Sequence, residues 1–169
     1  MELLLVRHAI AFNRDSDRWP ADGDRPLTPQ GEARFQKAAR GLRTLVPSVE
    51  LVLSSPYVRA WRTAEILTEE TGWPPPQPSE SLEAERSRAD AVGAIRSQAD
   101  HGSLALVGHE PNLSELASFL LAGDERRLLL EMKKGGVVCL ALPDGVAGGK
   151  GVLRWVATPK MLRAGATEG

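Results

Sequence analysis

The stretch "LLLVRHAIA", residues 3–11, contains the pattern that decides the fold. Its continuous apolar run, Leu3 to Val6, is typical of a short strand that is covered on both faces. The run ends abruptly in Arg7 and His8. The remainder of the chain indicates why two basic side chains follow a buried strand.

Two later stretches have the same layout, namely "LVLSSP" at 51–56 and "LALVGHEP" at 104–111. Each apolar run leads into a segment whose apolar residues recur at spacings of three and four, which is typical of a helix. Alternating strands and helices through residue 122 predict a three-layer α/β/α fold with a mostly parallel central sheet. Two β-rich segments, 136–143 and 151–158, predict a C-terminal hairpin that adds an antiparallel edge.

Local signals mark the helix boundaries. Thr28 suits an N-cap, Pro29 suits the first helical position, and the apolar face that follows ends before Pro47. The next helix is predicted to stop at Gly72, before the extended connection "WPPPQP". A weaker helix is predicted within 85–100.

The composition is that of an ordinary globular protein, with 42% apolar and 25% charged residues. The 169 residues suit one domain, predicted at 1–169. The net charge of −1 gives no reason to expect a nucleic-acid partner, so any anion site must come from local geometry. No apolar stretch approaches the roughly 20 residues of a membrane span, and no signal peptide is recognised, so we expect a cytoplasmic protein with no membrane partner.

The single cysteine, Cys139, excludes an internal disulfide. Its apolar neighbours predict a buried, inert thiol. No Cys and His residues have the spacing of zinc ligands, and the aspartates of the loop 13–25 do not match a calcium-binding loop. We therefore expect neither a metal nor another cofactor.

Polar residues follow all three apolar runs. Arg7 and His8 follow the first, Arg59 lies about one turn into the helix after the second, and His109 follows the third. Because ligands of such sheets bind at the carboxyl ends of the strands, these side chains are expected to meet in one crevice. Two arginines and two histidines beside helix N-termini predict a site for a phosphate dianion.

The motifs resemble those of a known family. The "RHA" at 7–9, the "SSPYVRAWRTAE" at 54–65 and the "VGHEP" at 107–111 are similar, in order, to the motifs of the histidine phosphatase superfamily, which has the phosphoglycerate mutase-like fold. The stretches "DRPLTPQG" (24–31) and "GVLRWVATPKML" (151–162) are most similar to the short SixA-like phosphohistidine phosphatases. Alanine replaces the usual glycine after the "RH" pair.

This resemblance implies a mechanism. The neutral imidazole of His8 would attack phosphorus and form a phosphohistidine that water then hydrolyses. Arg7 and Arg59 would hold the phosphoryl oxygens, and His109 would donate to them as an imidazolium. Phosphoryl transfer depends mainly on placement and charge compensation, so no metal is required.

The general acid is left open by the resemblance. Larger members of the superfamily carry a catalytic glutamate on an inserted segment, for which this chain has no room. Glu83, in "SLEAE", and Glu110, next to His109, are the two candidates. Because imidazole is easily protonated as it leaves, a pocket without a dedicated acid favours cleavage of P–N over P–O bonds.

Two residues of the polar loop are candidates for substrate contacts. Asn13 either touches phosphate or is a turn residue. Trp19 either covers the pocket, contacts a partner protein, or has neither role.

Three functions agree with these observations. The leading hypothesis is a hydrolase that removes phosphate from phosphohistidine on a protein. The second is a phosphomonoesterase of small molecules such as sugar or nucleotide phosphates. The third is a non-catalytic phosphate-binding module, against which the presence of His8 argues.

Overall fold

The computed structural model describes residues 1–166, and a six-stranded sheet lies at its centre. The strands are β1 Glu2–Arg7, β2 Leu51–Ser54, β3 Gln77–Pro78, β4 Ser103–Gly108, β5 Val137–Ala141 and β6 Val152–Ala157. The helices are α1 Pro29–Leu45, α2 Val58–Thr71, α3 Arg88–Arg96, α4 Asn112–Ala122 and α5 Pro159–Ala164.

The strand order is β3-β2-β4-β1-β5-β6. The pairs β3/β2, β2/β4 and β4/β1 are parallel, whereas β5 pairs antiparallel with both β1 and β6. The predicted fold class, with its antiparallel edge from the C-terminal hairpin, is confirmed. The register places Arg7 opposite Gly108, and Ser54 opposite Val107, so the carboxyl ends of β1, β2 and β4 lie side by side.

Each face of the sheet carries its own apolar core. Leu4 and Val6 of β1 belong to the cluster under α1, α2 and α5, while Leu3 and Leu5 belong to the cluster under α3 and α4. All four side chains are fully buried. The run of apolar residues in β1 is continuous because helices cover both faces of the sheet, as the sequence indicated.

The helix boundaries follow local chemistry. The Thr28 side chain accepts a hydrogen bond from the Gly31 amide at 2.9 Å, which caps α1 as predicted. Gly72 adopts a left-handed conformation with φ of 78° and ends α2. The helix predicted within 85–100 is shorter, 88–96, because the Ser87 capping box fixes its start.

Two elements were not predicted. The proline-rich connection includes β3, which pairs with the end of β2. The closing segment contains α5, which Thr158 caps and Pro159 begins, the same arrangement that starts α1. The two helices approach closely, since a Cβ atom on Gly41 of α1 would overlap the carbonyl oxygen of Leu162 in α5.

The sulfur of Cys139 is buried in β5, and burial raises the pKa of this thiol to about 11. Its predicted inertness agrees with that environment. Among residues 1–166, none of the helices combines the length and the apolar character that a bilayer span requires.

Candidate active site

Arg7 and His8 lie where β1 leaves the sheet, and backbone hydrogen bonds hold them from both sides. The His8 amide donates to the Gly108 carbonyl at 3.0 Å, and the Arg7 amide donates to the Gly136 carbonyl at 3.1 Å. The Arg7 side chain donates through Nη1 to the Met132 carbonyl at 2.6 Å. The end of β1 is therefore fixed against both β4 and the segment before β5.

The His8 imidazole is held in one tautomer. Its Nδ1 lies 2.7 Å from the Ala9 carbonyl oxygen, and because a carbonyl only accepts, the ring proton is on Nδ1. The lone pair is then on Nε2. The side chain is only 6% exposed, and burial, followed by the proximity of His109, lowers the pKa of His8 to about 2. The ring is thus neutral at physiological pH, as nucleophilic attack requires.

Arg59 is buried at 3% exposure and is the second residue of α2, so it lies in the first turn of the helix and not about one turn into it as predicted. Its Nη1 donates to the Asp22 carbonyl at 2.7 Å, and its Nη2 donates to the Asp22 carboxylate at 2.9 Å. The other oxygen of that carboxylate accepts from Arg25 Nε at 2.9 Å. This hydrogen bond to Arg25 is the main reason why the pKa of Asp22 is below its ordinary value. The Arg59 Nε atom is buried without a partner within the described residues.

His109 completes the arrangement. Its ring centroid is 5.3 Å from that of His8, and its Nε2 lies 2.9 Å from Ser55 Oγ. Its buried Nδ1 has no partner in the described part of the chain. Burial, followed by the charge of Arg59, lowers the pKa of His109 to about 3. Its ring is therefore neutral, because burial beside an arginine disfavours a second positive charge, whereas the resemblance predicts an imidazolium when phosphate is bound.

Two further residues shape the site, and their roles were not anticipated. The Tyr57 ring lies 5.2 Å from the His109 ring and 5.2 Å from Arg59 Cζ, so it packs against both side chains. Thr63 accepts from the Ala9 amide at 3.0 Å and donates to the Arg59 carbonyl at 2.7 Å. Thr63 therefore ties the turn after His8 to the helix that carries Arg59. Its place in the "RTAE" motif was the available signal.

The two acid candidates have different environments. The Glu83 carboxylate, in the segment that precedes α3, lies 3.4 Å from Arg86 Nε. The Glu110 carboxylate accepts from the Ser114 amide at 3.0 Å, and burial raises its pKa above the ordinary value. A raised pKa increases the protonated fraction of Glu110, and its charge acts on nearby Arg7.

Asn13 and Trp19 lie in the loop after β1. Both line a shallow pocket formed by residues 12–19, whose lining includes none of the four predicted site residues. Asn13 is exposed, and the half-buried Trp19 packs on Phe12, with ring centroids 5.3 Å apart, and under Arg18. Packing within the loop accounts for Trp19.

The site has a local positive field although the chain has a net charge of −1. Besides Arg7, Arg25 and Arg59, it includes Lys134. Burial lowers the pKa of Lys134, and the three arginines lower it further. Within residues 1–166, no three His, Cys, Asp or Glu side chains gather as a metal site would need. Converging cations around a neutral, tautomer-locked histidine define a site for transfer of a phosphoryl group.

Comparison with known proteins gives the same class. Residues 3–83 match the model of the histidine phosphatase superfamily (branch 1). The chain is 37% identical over 142 residues to an uncharacterized protein of Picosynechococcus sp., covering 83% of this chain and 84% of that protein. The chain therefore belongs to the histidine phosphatase superfamily and is a hydrolase, and the resemblance carried by the motifs is confirmed.

Solved structures share the whole fold. The protein histidine phosphatase SixA complexed with tungstate superposes with a TM-score of 0.80 at 21% identity, over 95% of this chain and 98% of that one. A mycobacterial glucosyl-3-phosphoglycerate phosphatase complexed with inorganic phosphate superposes with a TM-score of 0.68 at 19% identity, over 94% and 98%. At these identities the similarity establishes the fold.

Proposed function

We propose that this chain hydrolyses phosphohistidine on a protein, with a covalent phosphohistidine at His8 as the intermediate. The observation that carries the proposal is the state of His8, which is neutral and carries its lone pair on Nε2 beside the half-buried Arg7 and the buried Arg59. A structural histidine in the same place would need no second histidine and no two arginines around it. SixA, whose fold this chain shares, is a protein histidine phosphatase.

In the first step the Nε2 lone pair of His8 forms a bond to phosphorus as the bond from phosphorus to the leaving nitrogen breaks. The departing imidazole takes up a proton. Arg7 and Arg59 offset the charge of the phosphoryl oxygens, and the unpartnered Nδ1 of His109 lies in the same cluster. A bound dianion raises the pKa of His109, so this ring gains a proton in the complex more easily than alone.

In the second step water attacks the phosphorus of phospho-His8. The P–N bond breaks, Nε2 recovers its lone pair, the water proton passes to a neighbouring base, and inorganic phosphate leaves. Glu110 is our candidate for this proton transfer, since burial raises the pKa of its carboxyl above the ordinary value and so makes it a better proton acceptor than an exposed glutamate. Glu83 is the second candidate. Its carboxylate is engaged with Arg86 instead.

A small-molecule phosphomonoesterase is the second candidate function. An alkoxide needs a proton as it leaves, and Glu110, with its raised pKa, is a group that could supply it. The shared fold with the glucosyl-3-phosphoglycerate phosphatase favours the same candidate. The two functions differ in the bond that is cleaved, P–N or P–O.

The test compares kcat/KM for a phosphohistidine peptide, p-nitrophenyl phosphate and a panel of sugar and nucleotide phosphates. We expect the phosphohistidine peptide to be preferred. A preference for any ordinary ester by more than about tenfold, or 1.4 kcal/mol, contradicts the proposal.

Two variants refine the result. Glu110→Gln is expected to slow ester hydrolysis more than phosphohistidine hydrolysis, because only the ester needs a strong acid, and Glu83→Gln is the matched control. His8→Ala separates a catalyst from a binding module. Turnover that survives this substitution would exclude His8 as the nucleophile.

A further inference from the structure

A second cavity adjoins the candidate active site. It has a volume of about 360 Å³ and lies between the end of β1, α1, the segment before β5 and α5. Its rim carries five basic side chains and no acidic one, and we call it the basic groove: Arg34, Lys133, Lys134, Lys160 and Arg163. Its floor is apolar and is formed by Ala9, Ile10, Phe35 and Pro159.

Within residues 1–166, four of the five cations of the basic groove lack a compensating charge. The exception is Lys133, which pairs with Glu131. For the other four, Arg34, Lys134, Lys160 and Arg163, no carboxylate within residues 1–166 lies at ion-pair distance. Like charges around one cavity repel each other, and a negatively charged ligand would offset the repulsion among these four, which the part of the chain that the structure describes leaves unpaired.

The groove is fixed to the catalytic residues by the backbone. The Gly135 amide lies 3.0 Å from the carbonyl oxygens of both Arg7 and His8, so Lys133 and Lys134 immediately precede an anchored residue. Ala9 and Ile10 of the floor directly follow His8 in the chain. On the other wall, α1 and α5 are in backbone contact at Gly41. The groove is therefore continuous with the end of β1 that carries His8.

We propose that the basic groove binds an acidic polypeptide segment next to the phosphohistidine of the substrate protein. Carboxylates of that segment pair with the rim, and its apolar side chains lie on Ala9, Ile10, Phe35 and Pro159. The inference rests on the proposed function only in naming the phosphohistidine. Beyond the proposed function, it identifies the segment of the substrate protein that this enzyme recognises.

The distribution of charge favours a polypeptide over a metabolite. A small bis-anion needs donors that converge at the bottom of a pocket, whereas here the bottom is apolar and the charges stand on the rim. Arg34, Lys134 and Lys160 are exposed on three different elements, which suits carboxylates that are spaced along a chain. Such complementarity speeds association and selects partners.

The experiment uses two phosphohistidine peptides, one with alternating Glu and Leu around the phosphohistidine and one with Gln in place of every Glu. The groove variant is Arg34→Glu/Lys160→Glu. The matched control is Lys37→Glu/Arg154→Glu, which changes the net charge equally at two exposed residues outside the groove. Free phosphoramidate reports the chemistry alone, and a sugar bisphosphate represents the metabolite source.

The wild-type protein and the control variant are expected to prefer the Glu peptide through a lower KM. The groove variant is expected to lose about tenfold or more in kcat/KM on that peptide while retaining turnover of phosphoramidate. Salt is expected to weaken the preference, because exposed charges are screened. Retention of the preference in the groove variant, an equal loss in the control, or a loss confined to the sugar bisphosphate overturns the inference.

Fluorescence anisotropy with the unphosphorylated Glu peptide makes the groove testable without catalysis. Binding to the wild-type protein and the control, but not to the groove variant, supports the groove even if no P–N bond is cleaved. Hydrolysis of phosphohistidine without such binding leaves the proposed function in place and contradicts the groove.

Discussion

Arg59 and Arg62 lie one turn apart on α2, yet their environments are opposite. Arg62 faces outward and has three carboxylate partners, Glu69 at 2.7 Å, Glu65 at 3.2 Å and Glu32 at 3.3 Å. The hydrogen bond with Glu69 is the main reason why the pKa of Arg62 is raised. Its charge is fully compensated by the protein.

Arg59 is buried and has one carboxylate partner, Asp22, which Arg25 shares. Burial lowers the pKa of Arg59, and its Nε has no partner among residues 1–166. Arg62 thus has three carboxylates for one positive charge, whereas Arg59 shares a single carboxylate with Arg25. An arginine that is buried and incompletely paired is costly to keep, and a phosphate dianion provides what is missing. The comparison separates a cation whose charge the protein itself compensates from one for which we propose a phosphate ligand.

The largest expected effect is the loss of activity when Arg59 is removed. Arg59→Ala is expected to lower kcat/KM by about 10²–10³-fold, because a donor to the phosphoryl oxygens is lost. Arg62→Ala, on the same helix, is the control and is expected to change kcat/KM less than twofold. Steady-state kinetics on a phosphohistidine peptide checks both. Equal losses in the two variants would show that the comparison is wrong.

The free energy of unfolding of the protein is also expected to fall in acid. Between pH 6.5 and the folded pKa of about 2, His8 takes up a proton only in the unfolded state. Stability therefore rises with pH, and it is lost as the pH falls below 6.5, by up to about 1.4 kcal/mol per unit for His8 alone.

Urea unfolding at pH 7.5, 6 and 5 measures how the free energy of unfolding changes with pH. His8→Gln is expected to remove the contribution of His8, up to about 1.4 kcal/mol per pH unit, from this dependence. Above pH 7 both proteins are expected to be insensitive to the protonation of this ring. The same slope in the variant and the wild type would show that His8 is not held neutral by the fold.

A smaller effect is expected from Asp22, which positions Arg59 without contacting the reacting atoms. Asp22→Ala is expected to lower kcat/KM about tenfold, mainly by raising KM, because Arg59 and Arg25 lose their shared partner. Asp22→Asn keeps one oxygen and is expected to recover part of the loss. An increase in activity would instead indicate that the carboxylate competes with phosphate for Arg59.

The smallest effect is expected at Arg62, on stability. Partly exposed ion pairs contribute little, so Arg62→Ala is expected to cost about 1 kcal/mol or less in the free energy of unfolding. Denaturant unfolding measures it. A cost well above that, in the range of buried ion pairs, would mean that the glutamate cluster is a folding element.

The sequence allowed the fold and the main cluster to be predicted because both depend on local patterns. Three apolar runs ending in polar residues predict parallel strands with their functional ends together, which places Arg7, His8 and His109 at one edge. The chain order of the motifs then identifies Arg59. These predictions do not depend on the conformation of any loop.

The features that the sequence did not reveal depend on contacts between residues that are distant in the chain. Asp22 is one of four aspartates in a polar loop, and only the folded loop shows which of them reaches Arg59. The charge of His109 depends on burial beside Arg59, which the motif does not encode. Lys134 lies close to the arginines because the Gly135 amide is bound to the end of β1. Each of these features arises from a long-range contact.

The most direct test of the account is to identify the atom that carries the phosphate. Protein labelled with ¹⁵N-histidine is mixed with a phosphohistidine peptide, quenched in base within milliseconds and examined by ³¹P–¹⁵N correlation NMR. The account predicts phosphorus bonded to Nε2 of His8, since the Ala9 carbonyl holds the proton on Nδ1. Phosphorus on Nδ1 of that ring, phosphorus on His109, or rapid turnover with no phosphorylated histidine would contradict it.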